Sequence, residues 1–74
     1  MFTIQVFENS TGEPAYLKKV SVEFSGIFRG FAKDQYTDIK GEAHFSEDDG
    51  RGVIYVQGSK VYEGSIEGIK VVHI

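Results

Sequence analysis

Tyr36-Thr37-Asp38-Ile39-Lys40-Gly41-Glu42-Ala43-His44-Phe45 is the stretch on which the reading of the fold turns. It reads as a tight β-hairpin. Asp38 can accept hydrogen bonds from the backbone N–H groups two and three residues on, and Gly41 can supply the positive φ of a type I turn with a following bulge. Beyond the turn, Ala43 and Phe45 alternate with Glu42, His44 and Ser46, the period of a strand with one buried face.

Toward the amino terminus the same period recurs twice. Val20, Val22 and Phe24 alternate with Lys19, Ser21 and Glu23 over Lys18 to Phe24, and Phe2, Ile4 and Val6 alternate with Thr3, Gln5 and Phe7. Phe7 is left to cover an end of the core. The Glu8 to Pro14 segment between these strands is a loop by composition, with the single proline at its exit, where a fixed φ costs no ladder hydrogen bond. Ser25-Gly26 ends the second strand, and Ile27 to Ala32, without a clear period, reads as a loop or a bulged edge.

Toward the carboxyl terminus, Glu47 to Gly52 is a turn with two glycines. Val53 to Gln57 has the continuous apolar character of a central strand covered on both faces. Gly58-Ser59 has hairpin-turn composition and sets Lys60 to Gly64 antiparallel to it, with Tyr55 and Tyr62 facing across the hairpin as a pair worth about 0.5 kcal/mol. Ile69 to Ile74 is the last strand, Ile69 and Val71 on one face and Val72 and Ile74 on the other. No stretch repeats apolar residues at helical spacing over ten or more positions. The chain is therefore expected to be all-β, a small antiparallel β-sandwich of six to seven strands, with a small barrel of OB-like or SH3-like type as the alternative.

Composition bounds the function. The chain has 74 residues, no cysteine, six Phe, four Tyr and a formal charge of −3 from eleven acidic and eight basic side chains. That length makes one domain, 1–74, which buries only about 60% of its unfolded surface, so neither disulfide nor thiolate metal site supplements a thin core. No basic stripe favours phosphate backbones. No apolar run approaches the roughly 20 residues that span a bilayer, so membrane insertion is not expected. Met1 to Gln5 lacks the charge and long apolar segment of a secretory signal, which implies a cytoplasmic protein if the chain is full length, or a mature or excised domain otherwise.

Two landmarks carry a family resemblance. The first is Val6-Phe7-Glu8-Asn9-Ser10-Thr11-Gly12-Glu13-Pro14-Ala15 followed by Val20-Ser21-Val22-Glu23-Phe24; the second is Tyr36 to Phe45. In this order and separation they resemble the carboxypeptidase regulatory-like domains, prealbumin (transthyretin)-like sandwiches that begin with a strand, x-Gly-x-Pro-x, a second strand, and then Thr-Asp-x-x-Gly-x-[Ala/Phe]-x-Phe. The resemblance covers about the first two thirds of the chain. It implies the same fold as the periodicity. Its chemical branches lack their residues here. The transthyretin-like hydrolases carry a catalytic histidine on the first strand, where this chain has Gln5, and end in Tyr-Arg-Gly-Ser, where it ends Val71-Val72-His73-Ile74. Glutamine is no general base. Domains that form an internal isopeptide bond need a lysine on the first strand and an asparagine on the last, and neither is present. The resemblance thus implies a non-catalytic module.

The remaining candidates are surface features. His44 and His73 are the only histidines, and a metal role for both with one carboxylate is outweighed by the simpler reading of His44 as a solvated strand residue. Glu47-Asp48-Asp49-Gly50, with Asp34 or Asp38, lacks regular calcium-loop spacing, and Arg51 opposes a cation there, so a charged turn is the better reading. No metal and no cofactor are expected, and no glycine-rich phosphate cradle or nucleophile elbow is present. Phe28, Phe31 and Tyr36 flank Arg29 and Lys33, an interleaving that stacks bases in small single-strand-binding barrels. Set against that, Phe28 or Phe31 can plug an end of the sandwich, and the acidic balance favours the plug. The expected function is an interaction module, self-associating or binding a protein partner through the terminal strand residues Ile69, Val71, Val72 and Ile74. The alternatives are a single-stranded nucleic-acid-binding barrel and, more remotely, a transthyretin-like hydrolase that lacks the usual catalytic residues.

Overall fold

The structure is a computed structural model and describes residues 1–26 and 30–74. Its strands are β1 (Phe2–Phe7), β2 (Lys19–Phe24), β3 (Gly30–Phe31), β4 (Gln35–Tyr36), β5 (Glu42–Phe45), β6 (Gly50–Val56), β7 (Ser59–Ile66) and β8 (Ile69–His73). The chain is all-β, and the two-residue edge strands β3 and β4 raise the number of strands above the six to seven expected. One sheet has the order β5-β1-β8; the other runs β3-β2-β6-β7, with β4 also paired to β2.

Alternation in sequence becomes burial in the sandwich. Ile4 and Val6 of β1, Val20 and Val22 of β2, Ile54 of β6 and Ile66 of β7 are fully enclosed between the sheets. Phe2 lies parallel to Phe45 at 5.0 Å and meets Phe24 edge-on at 5.8 Å, so one aromatic cluster joins β1 and β5 to β2 across the layers. β6 is central, between β2 and β7, as expected, but it is not covered on both faces: Ile54 and Val56 are buried, while Val53 and Tyr55 are half-buried on the outside. Gln57 (φ 52) and Gly58 (φ 82) form the two-residue turn, and β7 begins at Ser59. A register shift at Ile54/Tyr55 sets Tyr62 opposite Ile54 and Lys60 opposite Tyr55, so the expected Tyr55–Tyr62 pair does not form.

The Tyr36–Phe45 stretch is not a hairpin. β4, before the turn, pairs with β2; β5, after it, pairs with β1 in the other sheet. The turn itself forms as read, with one change of partner: Asp38 Oδ1 accepts from the N–H groups of Lys40 and Glu42, two and four residues on, each at 2.9 Å. Thr37 decides the crossing. It is 1% exposed, its N–H donates to Lys18 C=O, its C=O accepts from Leu17 N–H, and its hydroxyl accepts from Lys18 N–H at 2.8 Å. Four residues later Gly41 C=O accepts from Val6 N–H of β1. The segment is thus stitched to one sheet at Thr37 and to the other at Gly41.

The sandwich is not wholly antiparallel either. β8 enters beside β1 in parallel, Thr3 opposite Ile69 through Phe7 opposite His73. β5 already occupies the other side of β1 from Phe2 to Gln5, and Pro14 and Ala15 extend that side through the Phe7–Pro14 bridge and the Ala15 N–H bond to Val6 C=O. The side left open takes the last strand.

Gly41 combines a φ of 77° with a site where a Cβ would stand 2.5 Å from Val6 O. Gly12, at φ 73°, has open space instead. Gly12→Ala is expected to cost about 1 kcal/mol, the conformational penalty alone, and Gly41→Ala at least about 2 kcal/mol more because backbone must move. Urea denaturation of the two variants measures the difference, and equal losses would contradict the close approach.

Candidate functional site

Pairing across the smaller sheet arranges its outer face in rows. His44, Thr3 and Ile69 form one row, Glu42, Gln5 and Val71 the next, and Phe7 and His73 a third. The face is divided in character. On the β5 side it carries polar and titratable groups; on the β8 side Ile69 is 65% and Val71 46% exposed. Phe7 is half-buried here and stacks on His73 at 6.0 Å, outside the core end it was expected to cover.

Asp38, Glu42 and His44 come together at the polar side. Glu42 and His44 share the outer face because they are two apart on β5, and the turn brings Asp38 above them. His44 Nε2 lies 3.5 Å from Glu42 Oε1 and 3.7 Å from Asp38 Oδ2, and its Nδ1 is 2.9 Å from Thr3 Oγ1. The Glu42 N–H is the main group holding the Asp38 carboxyl below its ordinary value; partial desolvation opposes it, and the Lys40 N–H and His44 act with it. His73 is two rows away and two strands across, on the far side of β1, so the two histidines do not meet. Nor does the Glu47 to Gly50 turn belong to this group: among the described residues, Asp38, Glu42 and His44 are the one set of three or more such ligands in reach of one another.

The aromatic candidates sit on the outer face of the larger sheet. Tyr36 pairs with Lys19 and Phe31 with Glu23, both outward-facing positions of β2, and the two rings are 61% and 64% exposed. Phe31 is therefore not a plug for the core. Lys33 is exposed. Phe28 and Arg29 lie outside the described residues. Tyr55 is on the same face and donates its hydroxyl to Glu23 Oε1 at 3.2 Å. Burial, with Glu23 beside it, holds the Tyr55 hydroxyl above its ordinary value. Carboxylates thus stand among these rings. No pocket opens among the described residues.

The edge residues are the third group. Val72 is buried, whereas Ile69, Val71 and Ile74 are exposed, so Ile74, just past the strand, does not share the inward face of Val72. Thr3 N–H donates to Gly68 C=O, Ile74 N–H donates to Phe7 C=O, and Asn9 N–H donates to Ile74 C=O. In a parallel ladder alternate residues face one neighbour, so the even-numbered residues of β8 bond β1 and Ile69, Val71 and His73 turn their N–H and C=O groups away from it. Among the described residues β8 pairs with no other strand. Lys70, a charge that would guard such an edge, is folded back with Nζ 4.2 Å from the centre of the Tyr62 ring.

Comparison with protein-family models, with curated proteins and with solved structures gave no match. The site rests on its own geometry. Sequence reasoning placed His44 on a polar strand face but missed its two carboxylate neighbours; the Glu42-x-His44 spacing carries the signal for one of them, and Asp38 joins them only through the fold.

Because folded Asp38 titrates below the unfolded carboxylate range of about 3.9, its ionised form stabilises the fold above that range, and the contribution is lost as pH falls through the folded value. The melting-temperature gap between the wild type and Asp38→Asn is therefore expected to be constant near neutrality and to shrink on acidification below about pH 4. A gap independent of pH would contradict the role of the ionised carboxylate.

Proposed function

We propose that this protein is a non-catalytic interaction module of prealbumin-like type that self-associates by adding β8 of one copy to β8 of another. The observation that carries the reading is the unpaired β8 edge, with Ile69 and Val71 exposed beside outward-facing N–H and C=O groups. The other edges are guarded. β3 and β4 have two residues each and β5 has four. β7 carries the Lys60–Glu63 ion pair at 2.6 Å, each partner holding the other in its charged form, and its ladder with β6 is interrupted by the register shift at Ile54/Tyr55.

A second copy fits this edge better than an unrelated strand. Antiparallel pairing about a two-fold axis through Val71 sets Ile69 against His73, Val71 against Val71 and Lys70 against Val72, so no like charges face each other. Each of the residues Ile69, Val71 and His73 then exchanges N–H and C=O bonds with its counterpart. The apolar side of the outer face becomes the centre of a continuous sheet. The absence of the hydrolase histidine at Gln5 supports the non-catalytic part of the reading.

Val71→Lys tests it. Val71 is half exposed, so the substitution is expected to change the isolated fold by no more than about 0.5 kcal/mol while placing two charges face to face on the axis. Sedimentation over micromolar to millimolar concentrations is expected to show a wild-type dimer and a monomeric variant with an unchanged far-ultraviolet spectrum. A wild type that remains monomeric throughout, or a variant that dimerises equally well, would overturn the proposal.

A further inference from the structure

In the group formed by Asp38, Glu42 and His44 the imidazole is close to both carboxylates without making a good hydrogen bond to either. His44 Nε2 is 3.5 and 3.7 Å from its two carboxylate oxygens, beyond the reach of good hydrogen bonds, and the three donor atoms lie within 4.8 Å of one another. Ligands held at about 2.1 Å around a tetrahedral zinc ion stand about 3.4 Å apart. The spacing about the imidazole is therefore that of ligands surrounding a common point. Small rotations of the Glu42 side chain, two bonds beyond its Cβ, close the remaining carboxylate gap.

Two observations outside the group point to a cation. The first is charge: among the described residues neither Asp38 nor Glu42 has a Lys or Arg within ion-pair distance, so two carboxylates face only an imidazole. The second is the orientation of the ring. Thr3, on the neighbouring strand, lies 2.9 Å from Nδ1. A metal on Nε2 requires the proton on Nδ1, and the Thr3 hydroxyl oxygen is placed to accept it, the outer support that fixes the tautomer and direction of a ligating histidine. Asp38 is fixed likewise, since its Oδ1 is taken by the N–H groups of Lys40 and Glu42 and Oδ2 is turned toward His44.

We infer that Asp38 Oδ2, Glu42 Oε1 and His44 Nε2 form a binding site for a divalent transition-metal ion of the zinc class, with Thr3 as its positioning residue. The imidazole selects against magnesium and calcium, which favour all-oxygen sites with more ligands. Water completes the coordination, because the site is open on the outer face of the sheet.

The test is calorimetric titration of the intact wild-type chain with zinc chloride near neutral pH, alongside proton NMR of the two histidines. One zinc ion is expected per chain, with shifts at the His44 imidazole and none at His73. Glu42→Gln and His44→Gln are each expected to weaken binding at least about tenfold, Thr3→Val about tenfold, and His73→Gln not at all. Millimolar calcium or magnesium is expected not to displace the zinc. All four positions are on the outer face, and circular dichroism confirms that each variant is folded before titration. Undetectable binding at millimolar zinc, one ion per two chains, displacement by calcium, or equal effects of the His44 and His73 substitutions would overturn the inference.

Discussion

The fold depends on the chain changing sheets within the few residues between β4 and β5 without stranding a buried polar group. Thr37 lies at the crossing, fully enclosed, and its N–H, C=O and hydroxyl all bond to the backbone of Leu17 and Lys18. A buried donor or acceptor left without a partner costs about 1–3 kcal/mol, a large share of what a chain of this size has to spare. The demand is strong enough to hold Leu17 at φ 56°, a conformation that costs a bulky L-residue about 1–2 kcal/mol. On the far side of the turn, Gly41 presses against Val6 and Pro14 so closely that no Cβ fits. Between these anchors Asp38 closes the turn.

The strand order follows from that crossing. A turn fixed at both ends delivers β5 to one side of β1, and the Pro14–Ala15 segment continues along the same side. The side that remains receives β8, which runs parallel to β1 and, among the described residues, pairs with no other strand. The same geometry explains why the outer face of the smaller sheet is divided: β5 brings Glu42 and His44 under Asp38, and β8 brings Ile69 and Val71 to the opposite margin. The open edge of β8 and the Asp38, Glu42 and His44 cluster are two consequences of one connection, separated by the width of β1.

Most of this was legible where one residue type has one physical use. The alternation in Phe2 to Phe7 and in Val20 to Phe24 gave both strands and their inward faces, because each has a single buried side. Asp38 and Gly41 were readable as a turn. What could not be read was which strands that turn joins, since a hairpin and a crossing use the same turn chemistry and differ only in long-range partners; the buried hydroxyl of Thr37 is what separates them. Pairing of Tyr55 with Tyr62 failed for a related reason, a register shift that local sequence does not announce. The parallel entry of β8 was likewise invisible. The cluster at His44 was missed because its third member comes from the turn, and only the fold brings Asp38 over β5.

Amide hydrogen exchange along β8 reports whether its open edge takes up another copy of the chain, as proposed. Lys70 and Val72 bond β1 within one chain and are expected to be protected at every protein concentration. The N–H groups of Ile69, Val71 and His73 are expected to exchange freely in dilute solution and to gain protection as concentration rises. Free exchange of those three amides at all concentrations, with Lys70 and Val72 protected throughout, would contradict the account.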